Sequence, residues 1–343
     1  MKRTMRCLLP CMAAWLLAGC EHKDLCYDHP HTAEVDVVFD WNYAPDAETN
    51  KEVESMCLWF YPVDEAGNRT GECQYYDLTG LKGGRIEIPT GRYQVLYYNS
   101  DYEQVQFRGT EWFFTHECYT REGSLFEPVY GNTATYSAPP RAEGTEQEAI
   151  VITPDKMWGD NAMNVEITEN GLSYWFIRDG ETEITTIENP DNVFRLMPHE
   201  QVCDYTYEIV NVENLKHVTQ LCASISGMSG SVFCAEEELD DECVTLPLEA
   251  KSDGVSTITG AFHTFGHHDH NDERHVLTVY VWLEDGTKWY YTNDVTDQVD
   301  KAPDKRNVHI RIDGLELPQP IENGSGFQPE VGGWEEVKED IKM

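Results

Sequence analysis

Short segments in which apolar and polar residues alternate recur along most of this chain, and this pattern constrains the fold more than any other feature. Val308, Ile310 and Ile312 alternate with His309 and Arg311, which is the period-2 pattern of a strand that buries one face. Similar segments follow one another at roughly ten-residue intervals, separated by turns rich in Gly, Asn and Asp. Such spacing is typical of sandwiches and barrels, so the sequence predicts an all-β protein.

The strand-like segments fall into two groups. The first group extends over 33–153 and the second over 196–317, with a turn-rich stretch at 154–195 between them. A length of 343 residues fits two domains better than one. We therefore predict two tandem antiparallel β-sandwich domains of Greek-key type, a connecting segment at 154–195, and a linker with a tail strand at 318–343.

The first twenty residues have the composition of a bacterial lipoprotein signal. Three basic residues precede a short apolar run that ends in Leu17-Ala18-Gly19-Cys20. Cleavage before Cys20 and acylation of this residue leave a lipid-anchored N-terminus. We predict a signal peptide at 1–19, a lipidated linker at 20–32 and attachment to membrane lipid through Cys20.

The chain is strongly acidic, with 62 Asp and Glu residues against 25 Lys and Arg, and a formal net charge of −37. Loss of Lys2, Arg3 and Arg6 with the signal makes the mature chain more acidic still. Binding to nucleic acid requires a basic face, so we expect no nucleic-acid partner. The acidic residues are dispersed among aromatic and β-branched residues, which favours the surface of a folded protein over a disordered acidic tail.

Eight cysteines follow Cys20, and none of them lies in a C-x-x-C pair. Zinc-ribbon and thioredoxin-like sites therefore lack their usual signature. An even number of cysteines outside the cytoplasm permits disulfides. Cys222 and Cys234 flank a predicted turn and are the first pair to consider for a disulfide. Buried free thiols that act as small apolar side chains are the alternative.

A histidine-rich run at 266–272 contains the clearest candidate metal ligands, His267, His268 and His270. Imidazoles bind zinc, copper and nickel, and an extended backbone would aim His268 and His270 to the same side. The run also lies between two predicted strands, where Gly, Asn and Asp make a polar hairpin loop without any metal. We name these histidines as candidates only and predict no resident cofactor.

No catalytic signature stands out. Gly227-Met228-Ser229-Gly230 lacks the G-x-S-x-G spacing of a nucleophile elbow. Among 62 acidic residues, carboxylate pairs occur at any spacing by chance and carry no information. We therefore predict a protein that is not an enzyme.

Aromatic residues point to a second class of function, carbohydrate binding without catalysis. Planar rings with polar edges stack on sugar faces, although most such residues are core residues in folded proteins. The candidates are Trp158, Trp175, Trp282, Trp289, Tyr290 and Tyr291.

Several segments together resemble the fimbrillin-like lipoproteins of Gram-negative gut and oral anaerobes. They are the Leu-Ala-Gly-Cys signal, the run Cys26-Tyr27-Asp28-His29-Pro30-His31, the run Tyr205-Thr206-Tyr207-Glu208-Ile209 with Asn214-Leu215, and the turn Ser224-Ile225-Ser226-Gly227-Met228. The chain is most similar to the anchor-like, functionally unassigned branch of that superfamily. The resemblance implies transthyretin-like sandwiches and a structural or adhesive role as a fimbrial anchor, accessory or tip-like subunit. It also implies an outward-facing position on the outer membrane, since Glu21 and Asp24 look similar to surface-export signals.

The same resemblance gives a meaning to the C-terminal tail. Fimbrillin-type subunits assemble when one subunit donates a β-strand to a neighbour, and an unpaired strand edge is a template for such addition. The tail places Val337, Ile341 and Met343 on one parity after Trp334, behind a Pro/Gly-rich linker at 318–333. It can pack on its own domain, pair with a fimbrial subunit as partner, or stay disordered. The first outcome would make the protein a terminal unit, and the second would let it extend a chain.

Overall fold

The computed structural model describes residues 31–45, 53–131, 140–177, 184–268, 274–320 and 333–338. Nearly every regular element in these ranges is a β-strand, which confirms the predicted all-β class. Two short α-helices stand among the strands, α1 at Glu127–Tyr130 and α2 at Thr296–Asp300. Single turns of 3-10 helix lie at Trp41–Tyr43, Phe113–Thr115 and Leu215–His217. No helix in the described ranges is long and apolar enough to cross a membrane.

The strands are numbered in chain order. They are β1 (Thr32–Phe39), β2 (Ser55–Val63), β3 (Gln74–Thr79), β4 (Gly83–Pro89), β5 (Gly91–Asn99), β6 (Val105–Arg108), β7 (Glu117–Thr120), β8 (Ala149–Ile150), β9 (Trp158–Thr168), β10 (Gly171–Ile177), β11 (Ile184–Asn189), β12 (Val193–Leu196), β13 (His199–Glu200), β14 (Cys203–Glu213), β15 (Val218–Ser229), β16 (Ser231–Phe233), β17 (Glu238–Leu239), β18 (Cys243–Glu249), β19 (Lys251–Ser252), β20 (Ile258–Thr264), β21 (Val276–Leu283), β22 (Lys288–Asp294), β23 (Asn307–Glu316) and β24 (Glu335–Lys338).

The first sandwich consists of a three-stranded sheet, β12-β1-β4, and a larger sheet, β11-β10-β9-β5-β2-β3, with β13 paired to β9. Ala33, Val35, Val37 and Phe39 of β1 are buried, whereas the residues between them are more exposed. These four side chains meet Phe60 of β2 in one apolar cluster. Removal of this surface from water stabilises the packing by about 25 cal/mol per Å² of apolar area.

The second sandwich consists of the sheets β24-β22-β21-β15-β18-β8 and β19-β20-β14-β23. Tyr205, Tyr207 and Ile209 of β14 pack against Val279 and Val281 of β21 in its core. Most neighbouring strands are antiparallel. Among the strands that the structure describes, four pairs are parallel, namely β1 with β12, β14 with β23, β18 with β8 and β22 with β24. Each of these pairs joins strands far apart in the sequence, because parallel neighbours need a long crossover connection.

A third layer joins the two sandwiches. We call the sheet β17-β16-β7-β6 the joining sheet. It packs on the outer face of the first sandwich, where Tyr61 and Tyr98 meet Phe113, Val232 and Phe265 in a further apolar cluster. Its four strands come from two segments that lie more than a hundred residues apart, so this sheet ties the two sandwiches together.

The chain crosses between the two sandwiches more than once, which corrects the predicted domain boundaries. After β5 it forms β6 and β7 of the joining sheet, and β8 then pairs with β18 of the second sandwich. It returns to the first sandwich through β9–β13. The predicted unit at 33–153 and the connecting segment at 154–195 are therefore wrong. A β-bulge conceals β9 from sequence reasoning, because Asn164 there has a φ of 50° and interrupts the alternation.

Candidate functional site

The described part of the C-terminal tail lies against its own chain. The ring of Trp334 stacks on Phe126, with centroids 5.2 Å apart and an interplanar angle of 23°. It also meets Trp282 edge-on at 5.0 Å and Tyr280 edge-on at 5.5 Å. We call the cluster of Phe126, Tyr280, Trp282, Tyr290 and Trp334 the aromatic cap. The cap covers the outer face of the second sandwich, and edge-to-face pairs of this kind add about 0.5–1.5 kcal/mol each beyond burial.

Strand β24 continues from the aromatic cap and pairs in parallel with β22 at the edge of the six-stranded sheet. Val337 is opposite Tyr291 in this register. Of the other predicted tail residues, Ile341 and Met343 lie outside the described residues. The strand therefore occupies the edge of its own sheet over Glu335–Lys338.

Strand β23 lies at the edge of its sheet, and among the described residues one element covers part of that edge. Gln298 of α2 covers Arg311, because the Arg311 N–H donates to Gln298 Oε1 at 2.8 Å and Gln298 Nε2 donates to the Arg311 carbonyl at 3.0 Å. The side-chain amide thereby reproduces the two hydrogen bonds that a neighbouring strand would make. Within the described ranges β23 pairs with β14 alone, so its second edge beyond Arg311 has no strand beside it.

Cys222 and Cys234, the pair considered first for a disulfide, are both free thiols in separate apolar clusters, which is the alternative of buried thiols. Cys222 belongs to the outer side of β15, where its thiol lies 3.8 Å from the Leu125 carbonyl oxygen. Cys234 follows β16 and packs under the joining sheet. No tight turn brings the two together, since β15 continues for seven more residues after Cys222, which is about 20 Å of extended chain.

The candidate histidine ligands do not form a shared site where the structure describes them. His267 is buried, and its Nδ1 lies 2.7 Å from the Tyr205 hydroxyl. His268 Nε2 lies 2.7 Å from the Asp240 carbonyl oxygen. The two side chains thus have different polar neighbours, and His270 lies outside the described residues.

The aromatic candidates for sugar binding divide by burial. Trp158, Trp282, Tyr290 and Tyr291 are buried core or cap residues, and Trp289 packs on the core of the second sandwich. Trp175 differs from these, because 40% of its surface is exposed.

Trp175 of β10 lines a groove with a volume of about 480 Å³ beside the first sandwich. Tyr43 is another exposed aromatic residue on its wall, and Arg195 and Arg306 supply positive charge. The floor contains Asp160, His199 and Glu237, which together form a group of potential metal ligands.

Three separate elements bring the floor residues together. Asp160 lies in β9, next to Gly159, and Gly159 pairs with His199 of β13. Strand β9 approaches β5 so closely that a Cβ on Gly159 would lie 2.4 Å from the Tyr97 carbonyl oxygen, so glycine is required there. Glu237 precedes β17 of the joining sheet and has a left-handed backbone with a φ of 53°.

Burial and charge act in opposite directions on the floor residues. Burial raises the pKa of Asp160 to about 6, against the opposing charge of His199. Burial acts to lower the pKa of His199, but the hydrogen bond to Glu237 and the charge of Asp160 outweigh it and raise the pKa. Burial likewise acts to raise the pKa of Glu237, but hydrogen bonds from His199 and Gln201 outweigh it and lower the pKa. The His199 ring is therefore held between two carboxylates.

Sequence reasoning missed these three residues. Each is a single polar residue in a different segment, and no local spacing connects Asp160, His199 and Glu237. Only the return of the chain to the first sandwich and the position of the joining sheet bring them together.

Comparison with known proteins gives a consistent set of relatives. The profile of a family described as "Domain of unknown function (DUF5119)" matches residues 19–249. A Bacteroides ovatus protein provisionally named fimbrium anchoring subunit Fim4B is 23% identical, and the alignment covers 93% of this chain and 92% of that protein. A crystal structure of a protein from the same organism, provisionally described as an adhesin, covers 88% of this chain and 99% of that chain, with a TM-score of 0.53 and 22% identity. The structural likeness supports the fold.

Proposed function

This chain belongs to the family described as domain of unknown function DUF5119, and from that premise we propose that it is a non-enzymatic anchoring subunit of a fimbrium. In this proposal, lipid on Cys20 holds the protein to the outer membrane, and the protein receives a neighbouring subunit by β-strand addition. The name of the Bacteroides ovatus relative, which aligns along almost the whole chain, supports an anchoring role.

The position of β24 is the observation that carries the proposal. A tail that donates its strand to a neighbour must be free of its own chain. Here β24 pairs with β22, and Trp334 is stacked within the aromatic cap. A subunit whose tail is seated in this way cannot donate that strand, so it fits the end of a fimbria and not its shaft.

The open edge of β23 supports the receiving role. Among the described residues, an incoming strand would find no neighbouring strand on the second edge of β23 beyond Arg311, where Gln298 no longer covers it. Main-chain hydrogen bonds along such an edge give affinity, and the alternating side chains give specificity.

Truncation after Gly333 tests the anchoring role. Loss of 334–343 removes Trp334 and β24 from the second sandwich, so we expect the free energy of unfolding to fall by several kcal/mol, at about 1.5–3 kcal/mol per buried apolar side chain. Urea unfolding of the purified protein measures this loss, and cell-surface pull-down of fimbrial subunits measures assembly. Unchanged monomer stability together with lost assembly would show that the tail is a donor strand and overturn the proposal.

Substitution of Cys20 tests the lipid anchor separately. The family profile starts at residue 19, next to the predicted cleavage site, which supports Cys20 as the first mature residue. We expect Cys20→Ala to leave an unprocessed protein without metabolic palmitate label. Substitution of Cys26, six residues later in the same segment, is the matched control and should leave the label in place. Palmitate label in the Cys20→Ala protein would contradict the lipid anchor.

A second candidate function, glycan binding, is favoured by the exposure of two aromatic residues on the groove. Trp175 and Tyr43 are 40% and 48% exposed, and Arg195 lines the same groove. On a glycan array, we expect any signal to disappear in Trp175→Ala and to persist in Tyr75→Ala, since Tyr75 is an equally exposed ring on another strand. Equal signals from the two variants would exclude the groove as a glycan site.

A further inference from the structure

We propose that the floor of the groove is a divalent transition-metal site, best suited to Zn²⁺, in which Asp160, His199 and Glu237 are the ligands. These are the three residues whose donor atoms all lie within 4.8 Å of one another, and they are the one such group among the residues that the structure describes. The proposal goes beyond the anchoring role, because no part of that role requires a metal.

The donor atoms of Asp160, His199 and Glu237 lie close together, with the two carboxylates beside different nitrogens of the His199 ring. His199 Nε2 lies 3.0 Å from Glu237 Oε1, and His199 Nδ1 lies 3.7 Å from Asp160 Oδ2. Ligand bonds of about 2.1 Å in a tetrahedral arrangement place donor atoms about 3.4 Å apart. The ion would bind one imidazole nitrogen, so the His199 ring must turn until a single nitrogen shares the ion with both carboxylates.

Neighbouring groups orient the carboxylates, and Gln201 contacts two of the ligand atoms themselves. Gln201 Nε2 donates to Glu237 Oε1 at 3.3 Å and lies 2.9 Å from His199 Nε2, so an ion must displace this amide. The backbone N–H of Asn161 donates to Asp160 Oδ1 at 2.6 Å, and Arg306 lies 3.4 Å from Glu237 Oε2. Both contacts use the oxygen that faces away from His199. Such outer contacts are a regular feature of metal sites, because they fix the direction of the ligand.

The nature of the ligands selects the class of metal. One imidazole with two carboxylates suits zinc and its first-row neighbours, whereas Mg²⁺ and Ca²⁺ prefer oxygen ligands alone. With neutral His199, the two carboxylates of Asp160 and Glu237 balance the charge of a divalent ion.

The site is accessible and keeps a coordination position open. The side chains of Asp160, His199 and Glu237 are 26%, 31% and 31% exposed, so an ion can enter from the groove. Three protein ligands leave the fourth position for water or for an oxygen ligand in the groove. Because Glu237 comes from the joining sheet and Asp160 from the first sandwich, a bound ion would also link these two layers.

Titration calorimetry with ZnCl₂ on the full-length lipoprotein in detergent micelles, purified without a polyhistidine tag, tests the site. We expect one ion per chain. Changes to groups around a metal ligand cost about 10–100-fold in affinity, so loss of a ligand should cost about 100-fold or more. His199→Ala and the near-isosteric Asp160→Asn should each show this loss. His268→Ala, in the histidine-rich run, is the matched control and should bind zinc like the unaltered protein.

Two results would overturn the site. One is zinc affinity that is equal in the unaltered protein and in both ligand variants. The other is a loss of binding in His268→Ala alone, which would assign the ion to the histidine-rich run. X-ray absorption of the zinc-loaded protein provides a second readout that does not depend on variant folding. We expect nitrogen and oxygen neighbours at about 2.0–2.1 Å, and sulfur neighbours at about 2.3 Å would instead assign the ion to cysteines.

Discussion

At the scale of single residues, His116 is a polar group enclosed in an apolar cluster. It is fully buried, with Nδ1 2.6 Å from the Tyr61 hydroxyl and Nε2 2.8 Å from the Tyr98 hydroxyl. The Tyr61 hydroxyl donates its proton to the Thr110 carbonyl at 3.1 Å. Nδ1–H therefore donates to Tyr61, and Nε2 accepts from Tyr98, which is the pattern of a neutral ring.

Acidification should destabilise the protein through His116. Burial lowers the pKa of His116 from 6.5 to about 4, so the unfolded chain binds this proton first as the pH falls. The free energy of unfolding keeps its full His116 contribution above pH 6.5, where the ring is neutral in both states. This contribution is lost as the pH falls toward 4, and the total loss is about 3 kcal/mol at 1.4 kcal/mol per pH unit. Urea midpoints at pH 7.5 and 4.5 measure it. His116→Gln lacks the titrating ring and should lose less stability, and an equal loss in both proteins would contradict the prediction.

At the scale of elements, a single ring fixes the start of β24. Trp334 contacts three aromatic side chains of the aromatic cap, and Lys288 Nζ lies 5.9 Å from its ring centroid. The strand that follows is four residues long, and so short an edge strand is weak without such an anchor.

Trp334→Ala should lower the free energy of unfolding by about 2–3 kcal/mol, which is below the 3–5 kcal/mol typical of a fully buried tryptophan because this ring is half-buried. Amide exchange at β22 should accelerate in the same variant, since β24 loses its attachment. Trp175→Ala, which removes an exposed ring, is the control and should change stability by less than about 0.5 kcal/mol. Similar losses from the two variants would mean that the aromatic cap does not hold the tail.

Alternating residues predict elements well but do not identify their partners. The pattern in β1 and β23 was sufficient to predict strands and the all-β class, because burial of one face leaves a period of two in the sequence. The bulge at Asn164 removes this signal from β9. Cys222 and Cys234 are buried in different layers, and the three polar residues of the groove floor converge, because of the sheets that their strands join. The local sequence does not indicate which sheet a strand joins.

At the scale of the whole molecule, the joining sheet couples the two sandwiches. Cys118 of β7 is opposite Val232 of β16, and both are buried in the cluster under the joining sheet. Because the joining sheet takes strands from two distant segments of the chain, unfolding of one sandwich alone would also break contacts of the other.

We therefore expect one cooperative unfolding transition. Val35→Ala in the first sandwich and Ile310→Ala in the second should each lower the same midpoint, because both side chains are fully buried and such truncations cost about 2–4 kcal/mol. Differential scanning calorimetry should give equal calorimetric and van't Hoff enthalpies for each protein. Two resolved transitions, with only one of them responding to each substitution, would contradict the coupling.

The passage of 100–152 from the first sandwich to the second has a consequence for how such a gene can evolve. Strands β9–β13 complete a sandwich that β1–β5 begin, and β8 lies between them in the sequence but in the other sandwich. After a single genetic crossover at any position from 100 to 200, at least one of the two sandwiches would consist of strands from two different parents. Exchange of one intact sandwich between two relatives therefore requires three breakpoints, between β5 and β8, between β8 and β9, and between β13 and β14. These proteins should consequently diversify by substitution and loop change and not by shuffling of halves.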